Sequence, residues 1–346
     1  MKIIKNSELE SIETELKNNN IDLDKLIRKL INQKKVIVIC GPTCTGKSKT
    51  GIIMAKLLDT DIISADSIQV YRGMDIGTDK YNLEDYGIKQ YMNDIFDPDH
   101  DLSIMEFKEI CDDIINKKFF LKEKIPLIVG GSGLYIRGII SGMDPVPGED
   151  KEVRKRLKEE IRNCGIKKYY LKLKKIDSEY AKKISENDQR RIIRALEVYE
   201  ITGSPFSSLQ NVWKSKKSTY EAVMIGLTME RKELYRRIDK RVDRMFEKGL
   251  VEEVKRLIDK GYENCRSVLK AVGYKEVLKY LKGETTLENC TGEVKKNTRR
   301  LAKKQMTWFN SEPKINWIRR DNYDNIFNLT GDIVKIIQKC VTNEKN

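Results

Sequence analysis

Residues 36–48 read VIVICGPTCTGKS. Five apolar, mostly β-branched residues break into G-x-x-x-x-G-K-S where a helical pattern begins. Strand, glycine-rich turn and helix N-terminus in that order make a phosphate cradle. Gly41 and Gly46 let the backbone turn its N–H groups inward, Lys47 adds a point charge, and the Ser48 hydroxyl can sit on Mg2+. Gly41, Pro42, Thr43, Cys44, Thr45, Gly46, Lys47 and Ser48 are thus the expected set for binding a di- or triphosphate. The reaction stays open, because nucleotide hydrolysis, phosphoryl transfer and diphosphate departure all use this cradle.

The pattern on either side is α/β. A strand is expected at 61–64. A Ser103/Glu106 capping box starts a helix running to about residue 122, which leads into a buried strand at 125–129 and the turn Gly130-Gly131-Ser132-Gly133. Past Pro145-Val146-Pro147-Gly148 the chain reads as charged helices until Gly203-Ser204-Pro205, and the strand pattern then returns once, at 222–228. This predicts an α/β fold: a P-loop core with a parallel sheet and an inserted helical subdomain. The expected segments are a helical extension (1–33), the first part of the core (34–142), the insertion (143–208), the second part of the core with C-terminal helices (209–330) and a tail (331–346).

Charge points to a large polyanion. Lys and Arg number 67 against 53 acids, a net charge of +14. Residues 151–204 hold 16 bases and 9 acids, and 295–304 (KKNTRRLAKK) hold six bases and no acid. Two such runs in a phosphate-binding enzyme favour a groove that tracks a nucleic-acid backbone. The seven cysteines are scattered without a C-x-x-C pair, which argues against a disulfide framework or a zinc site. No apolar stretch approaches the roughly 18 residues of a membrane span. The first 25 residues hold six acids, unlike a transit peptide. A cytoplasmic monomer without membrane contact is expected.

Three positions stand out as candidates for chemistry. Asp66 follows the strand after the P-loop helix, so its carboxylate should emerge at the carboxyl edge of the sheet. General base, magnesium-binding aspartate and helix N-cap are all open readings of it. Ser132 follows another buried strand, either to hydrogen-bond a leaving oxygen or to cap a turn. Arg241 lies four residues past Arg237 on one helical face and either reaches the same site or is solvated. His100, the sole histidine, reads as a surface residue. Neither the arginine-rich lid of a small-molecule kinase nor an apolar strand ending in Asp-Glu accompanies the P-loop.

Taken together, GPTCTGKS, ISADSIQVYRGMDIGTDK, PLIVGGSGLYI, NDQRRIIRALEVY, LYRRIDKRVDRM, AVGYKEVLKYLKGE and NTRRLAKKQMTWF closely resemble the tRNA dimethylallyltransferase family, bacterial type, in order from about residue 35 to 317. The resemblance implies a kinase-like P-loop NTPase α/β core with a helical insertion that embraces the anticodon stem-loop. It also implies transfer of a dimethylallyl group from dimethylallyl diphosphate, the co-substrate, to the exocyclic amine of the adenosine just 3′ of the anticodon. Asp66 would accept the amine proton, Ser132 would bond near the bridging oxygen, Arg241 would neutralise the departing diphosphate, and Ser48 would hold Mg2+. By the same resemblance Asp66, Ser67, Ile68, Gln69, Ser132, Arg154, Arg190, Arg191, Arg194, Lys303, Lys304 and Gln305 would contact tRNA. The chain departs from the family at Gly77-Thr78-Asp79-Lys80-Tyr81, where GTAKP is common, and at Ser132, where threonine is more usual. An adenylate isopentenyltransferase acting on free AMP, ADP or ATP, or a P-loop small-molecule kinase, are the alternatives.

Overall fold

A computed structural model describes residues 6–144, 146–210 and 218–342. Pro145 of the expected break and 343–346 of the expected tail lie outside the described residues. The chain divides into two compact units, one formed by residues 1–140 and 220–346 and the other by 141–219.

The first unit is built on six strands: β1 (Val36–Cys40), β2 (Ile62–Ala65), β3 (Gln90–Tyr91), β4 (Leu127–Gly130), β5 (Ala222–Thr228) and β6 (Ile315–Arg319). They pair in the order β3-β2-β4-β1-β5-β6, every pair parallel. Sequence reading missed β3 and β6, the two edges. β3 has two residues, and β6 mixes Asn316, Trp317 and Arg319 into five, because an edge strand lacks the two-sided burial that writes an apolar run.

Both faces of the sheet are covered. Val36, Val38 and Cys40 face one core, while Ile37 and Ile39 face the other, the period-2 alternation of a strand buried on both sides. The second face is closed by α3 (Lys47–Leu57), by α1 (Asn6–Asn18) and α2 (Leu23–Asn32), and by the last helix, Ile326–Thr342. Residues 331–342, set apart above as a tail, therefore belong to a packed helix: Ile333, Val334, Ile337 and Val341 recur at helical spacing and are buried. The N-terminal extension is equally integral. Ile12 and Leu16 pack in the same core as Ile333 and Ile337, and Lys335 pairs with Glu15 at 2.8 Å. Leu16 is fully buried, so Leu16→Ala should cost about 2–5 kcal/mol, seen as a lower denaturation midpoint. An unchanged midpoint would mark the extension as a detachable appendage.

The first face carries α4 (Ile104–Ile114) and α5 (Gly133–Ser141). Ser103 caps α4 by accepting the Glu106 N–H, and the helix continues to Lys122 through a π-turn and a 3-10 turn. Four C-terminal helices complete this face: α10 (Arg231–Glu247), α11 (Leu250–Asp259), α13 (Tyr274–Leu281) and α14 (Leu287–Phe309), with the short α12 (Arg266–Lys270) between.

The second unit is helical, with α6 (Lys151–Cys164), α7 (Ile166–Ile176), α8 (Ser178–Ala181) and α9 (Gln189–Thr202) around Leu157, Leu173, Ile192 and Leu196. Glu197 is fully buried among them. Arg154 and Arg194 pair with its carboxylate at 2.9 and 2.8 Å, and the Asp150 N–H donates to it at 2.8 Å, which offsets the cost of burying the charge.

Candidate active site

The parallel order places three carboxyl ends side by side: β2 ends at Ala65, β4 at Gly130 and β1 at Cys40, with β4 between the other two. Asp66 is thus separated from the P-loop by one strand, and that strand ends in glycines. A Cβ on Gly130 would stand 2.2 Å from the Ala65 carbonyl oxygen, so only glycine lets these strand ends close up. The ends open onto a cavity of about 440 Å3 lined by Thr43, Lys47, Ser48, Asp66, Arg241 and other residues. All of its lining residues belong to the first unit.

The P-loop wraps around one carbonyl. Thr45 Oγ1 and Lys47 Nζ both donate to the Pro42 oxygen, at 2.9 and 2.6 Å. Gly46, at φ +96°, turns the chain into α3, where β-carbon sterics would penalise other residues. Burial lowers the Lys47 ammonium to about 8, with nearby Cys44 opposing and Arg241 reinforcing the shift. Above about pH 8 the unliganded protein loses this proton; a diphosphate seated on the loop would restore it, so binding would take up a proton and weaken as pH rises through 8. Calorimetry of diphosphate binding in buffers of different ionisation enthalpy should show that uptake. Affinity flat from pH 7 to 10 would remove Lys47 from the cradle.

Asp66 plays two parts in its own geometry. Its Oδ1 accepts the Ile68 N–H at 2.9 Å and the Gln69 N–H at 3.3 Å, capping the turn, while the residue also lines the cavity. No hydrogen bond engages Oδ2 among the described residues. Ser132 is tied to the same turn: its Oγ accepts the Ser67 N–H at 3.2 Å, and its N–H donates to Ala65 O at 3.2 Å. It immediately precedes α5, where its carbonyl accepts the Tyr135 and Ile136 N–H groups at 3.0 and 3.1 Å, and it is not among the cavity-lining residues. Arg241 reaches the P-loop, donating from Nη1 to Thr43 Oγ1 and, at 3.8 Å, to Cys44 Sγ; its Nε lies 3.5 Å from Asp79 Oδ2.

Two further residues hold this frame. The Gln305 amide on α14 accepts the Thr43 N–H at 2.9 Å and donates to Gly131 O at 3.0 Å, strapping the P-loop to the glycine turn. Glu253, which sequence reading missed, is almost fully buried. Its carboxylate accepts the N–H groups of Asp75, Ile76 and Gly77 at 2.8–3.2 Å and the Tyr274 hydroxyl at 2.6 Å, fixing the loop that presents Asp79 to Arg241. A signal was available: Glu253 shares the apolar face of Leu250, Val254 and Leu257.

Apart from Asp66, Ser67 and Ile68 in the turn after β2 and Ser132 just before α5, the expected RNA-contacting residues fall into two groups. Arg190, Arg191, Lys303 and Lys304 are exposed. Gln69, Gln305, Arg154 and Arg194 instead have polar ends engaged inside the protein: Gln69 accepts from Ser64 and donates to Thr78 O, Gln305 straps the P-loop, and both arginines hold Glu197. The basic run 295–304 is likewise partly internal, because Lys295 pairs with Asp243 at 2.6 Å and Arg299 with Asp239. His100 stacks on Phe96 at 4.0 Å and bonds Glu106. Among the described residues no group of three or more His, Cys, Asp or Glu could hold a metal, and Ser48 lines the cavity.

Residues 69–312 match the family described as IPP transferase, and 34–85 the family described as Isopentenyl transferase. A tRNA dimethylallyltransferase of Thermoanaerobacter sp. (strain X514) is 45% identical over 307 residues, covering 88% of this chain and 97% of that protein. The chain belongs to the tRNA dimethylallyltransferase family. Another relative in that family, from Alkaliphilus oremlandii, is 44% identical over 88% of this chain and 97% of its own length. The crystal structure of a tRNA isopentenylpyrophosphate transferase from Bacillus halodurans matches with a TM-score of 0.66 at 38% identity, over 90% of this chain and 99% of that one. A eukaryotic dimethylallyltransferase acting on tRNA matches at 0.67 and 28% identity, over 83% and 74% of the two chains. Among the described residues no helix is long and apolar enough to cross a membrane.

Proposed function

We propose that this member of the tRNA dimethylallyltransferase family transfers a dimethylallyl group from dimethylallyl diphosphate to the exocyclic amine of the adenosine on the 3′ side of the anticodon in tRNA. The observation that carries the reading is one cavity lined both by a P-loop and by Asp66. The amine nitrogen attacks the allylic carbon, the carbon–oxygen bond breaks, and diphosphate leaves with the electron pair. Asp66 accepts the amine proton. Lys47 and the P-loop amides hold the diphosphate, and Arg241, braced by Asp79, neutralises charge as it departs. The single hydroxyl of Ser48 fits magnesium, which takes most of its ligands from phosphate and water; a bound ion would add positive charge beside the leaving group. Ser132 acts here by fixing the turn that carries Asp66.

Arg190, Arg191, Lys303 and Lys304 are exposed cations suited to a tRNA backbone, and an anticodon loop yields its adenosine at a cost of only a few kcal/mol. The test compares transfer of labelled dimethylallyl to unmodified tRNA and to AMP. Label on the anticodon-adjacent adenosine of tRNA supports the reading; label on AMP alone, or ATP consumption without a prenyl donor, replaces it with one of the alternatives. RNA affinity should fall with salt at a slope of about −0.7 per phosphate neutralised. A flat response would return the exposed cations to solvent.

A further inference from the structure

Helix α10 has two charged faces with different fates. On one, Asp239 and Asp243 pair with Arg299 and Lys295 of α14. On the other, Arg237 is held by Glu233 at 2.8 Å and Arg241 by the P-loop and Asp79. In the C-terminal half of α10, Lys240, Arg244 and the capping residue Lys248 are exposed, stand four residues apart, and have no acidic partner among the described residues. The Arg244 Nε donates only to the Lys240 carbonyl of its own helix, at 3.2 Å.

These three cations follow a path of cavities. Lys240 and Arg244 line the 440 Å3 cavity at the P-loop. Arg244 and Lys248 line a second cavity, of about 140 Å3, which shares Asp79, Arg241 and Arg244 with the first. The main cavity is also richer in positive charge than its donor requires, with six basic side chains against Asp66 and Asp79. Lys47, Arg241 and a magnesium ion already match a diphosphate ester. Of the other four, Lys49 belongs to α3 and Arg237 is held by Glu233, which leaves Lys240 and Arg244 on α10.

We propose that Lys240, Arg244 and Lys248 form a phosphodiester track that holds the single-stranded RNA backbone next to the target nucleotide as its base enters the cavity. The inference rests on the proposed tRNA reaction and assigns α10 a part in it separate from the donor cradle. Three cations at about 6 Å intervals along a rigid helix hold a flexible backbone without reading its sequence. They position the nucleotide, and the chemistry stays with the residues around the P-loop.

The experiment uses the full chain with an unmodified tRNA transcript, comparing wild type with Lys240→Ala, Arg244→Ala, Lys248→Ala and the triple variant. Tight tRNA binding and prenylation by wild type must come first, and their absence overturns the proposed function itself. With wild type active, the triple variant should bind tRNA several-fold more weakly, with a salt slope shallower by about 0.7 for each cation removed, about 2 in all. The KM for dimethylallyl diphosphate should not move, and Lys240→Arg with Lys248→Arg should retain tRNA affinity. A raised donor KM with tRNA affinity intact would assign these residues to the donor site and overturn the track. So would unchanged tRNA affinity and salt slope in a triple variant that melts like wild type.

Discussion

Asp66→Asn should lower turnover about 10²-fold or more while leaving tRNA affinity largely intact. The asparagine is the informative variant because Asp66 also caps its own turn through Oδ1. An asparagine oxygen accepts the same Ile68 and Gln69 N–H groups, so the turn survives and only the ability to take up a proton is lost. Asp66→Ala removes cap and base together and should melt lower as well. The two readings separate cleanly. Wild-type turnover in the asparagine variant, with a loss confined to alanine, would make Asp66 a cap and leave the amine proton to another acceptor, such as water.

Arg241→Ala should reduce the single-turnover rate about 10²–10³-fold, the usual loss when one charged donor is removed from a leaving anion. Arg241→Lys should recover little of it. The guanidinium engages Thr43 Oγ1, Cys44 Sγ and Asp79 at once, and a point ammonium cannot span those directions. Inhibition by free diphosphate distinguishes anion binding from a purely structural clamp. If Arg241 meets the diphosphate, the inhibition constant rises in the alanine variant along with the rate loss. A lower melting temperature with unchanged inhibition and rate would leave Arg241 a strut between the P-loop and Asp79.

Glu253 and Gln305 show where sequence reading stops. Each has a polar end that acts on segments far away in sequence: Glu253 on residues 75–77 and Gln305 on Thr43 and Gly131. A helical wheel marks Glu253 as a carboxylate on an apolar stripe but cannot name what it binds. Arg154 shows the same limit, because its partner Glu197 lies on another helix, 43 residues along the chain. Arg194 differs, pairing with Glu197 three residues further along its own helix.

The phosphate cradle, by contrast, is legible from residues 36–48 alone. Strand, turn and helix there are contiguous, so their chemistry depends on φ/ψ preferences, hydrogen bonding and apolar periodicity over a dozen residues. The interior strands were readable for a related reason, since burial on both faces writes an unbroken apolar run. The tertiary structure alone decided that β4 lies between β1 and β2, which brings Asp66 to the P-loop across a glycine-ended strand. It also decided which basic side chains are consumed by internal acids and which face outward. Both depend on contacts between segments tens to hundreds of residues apart, and pairings at that distance leave no periodic trace in the sequence.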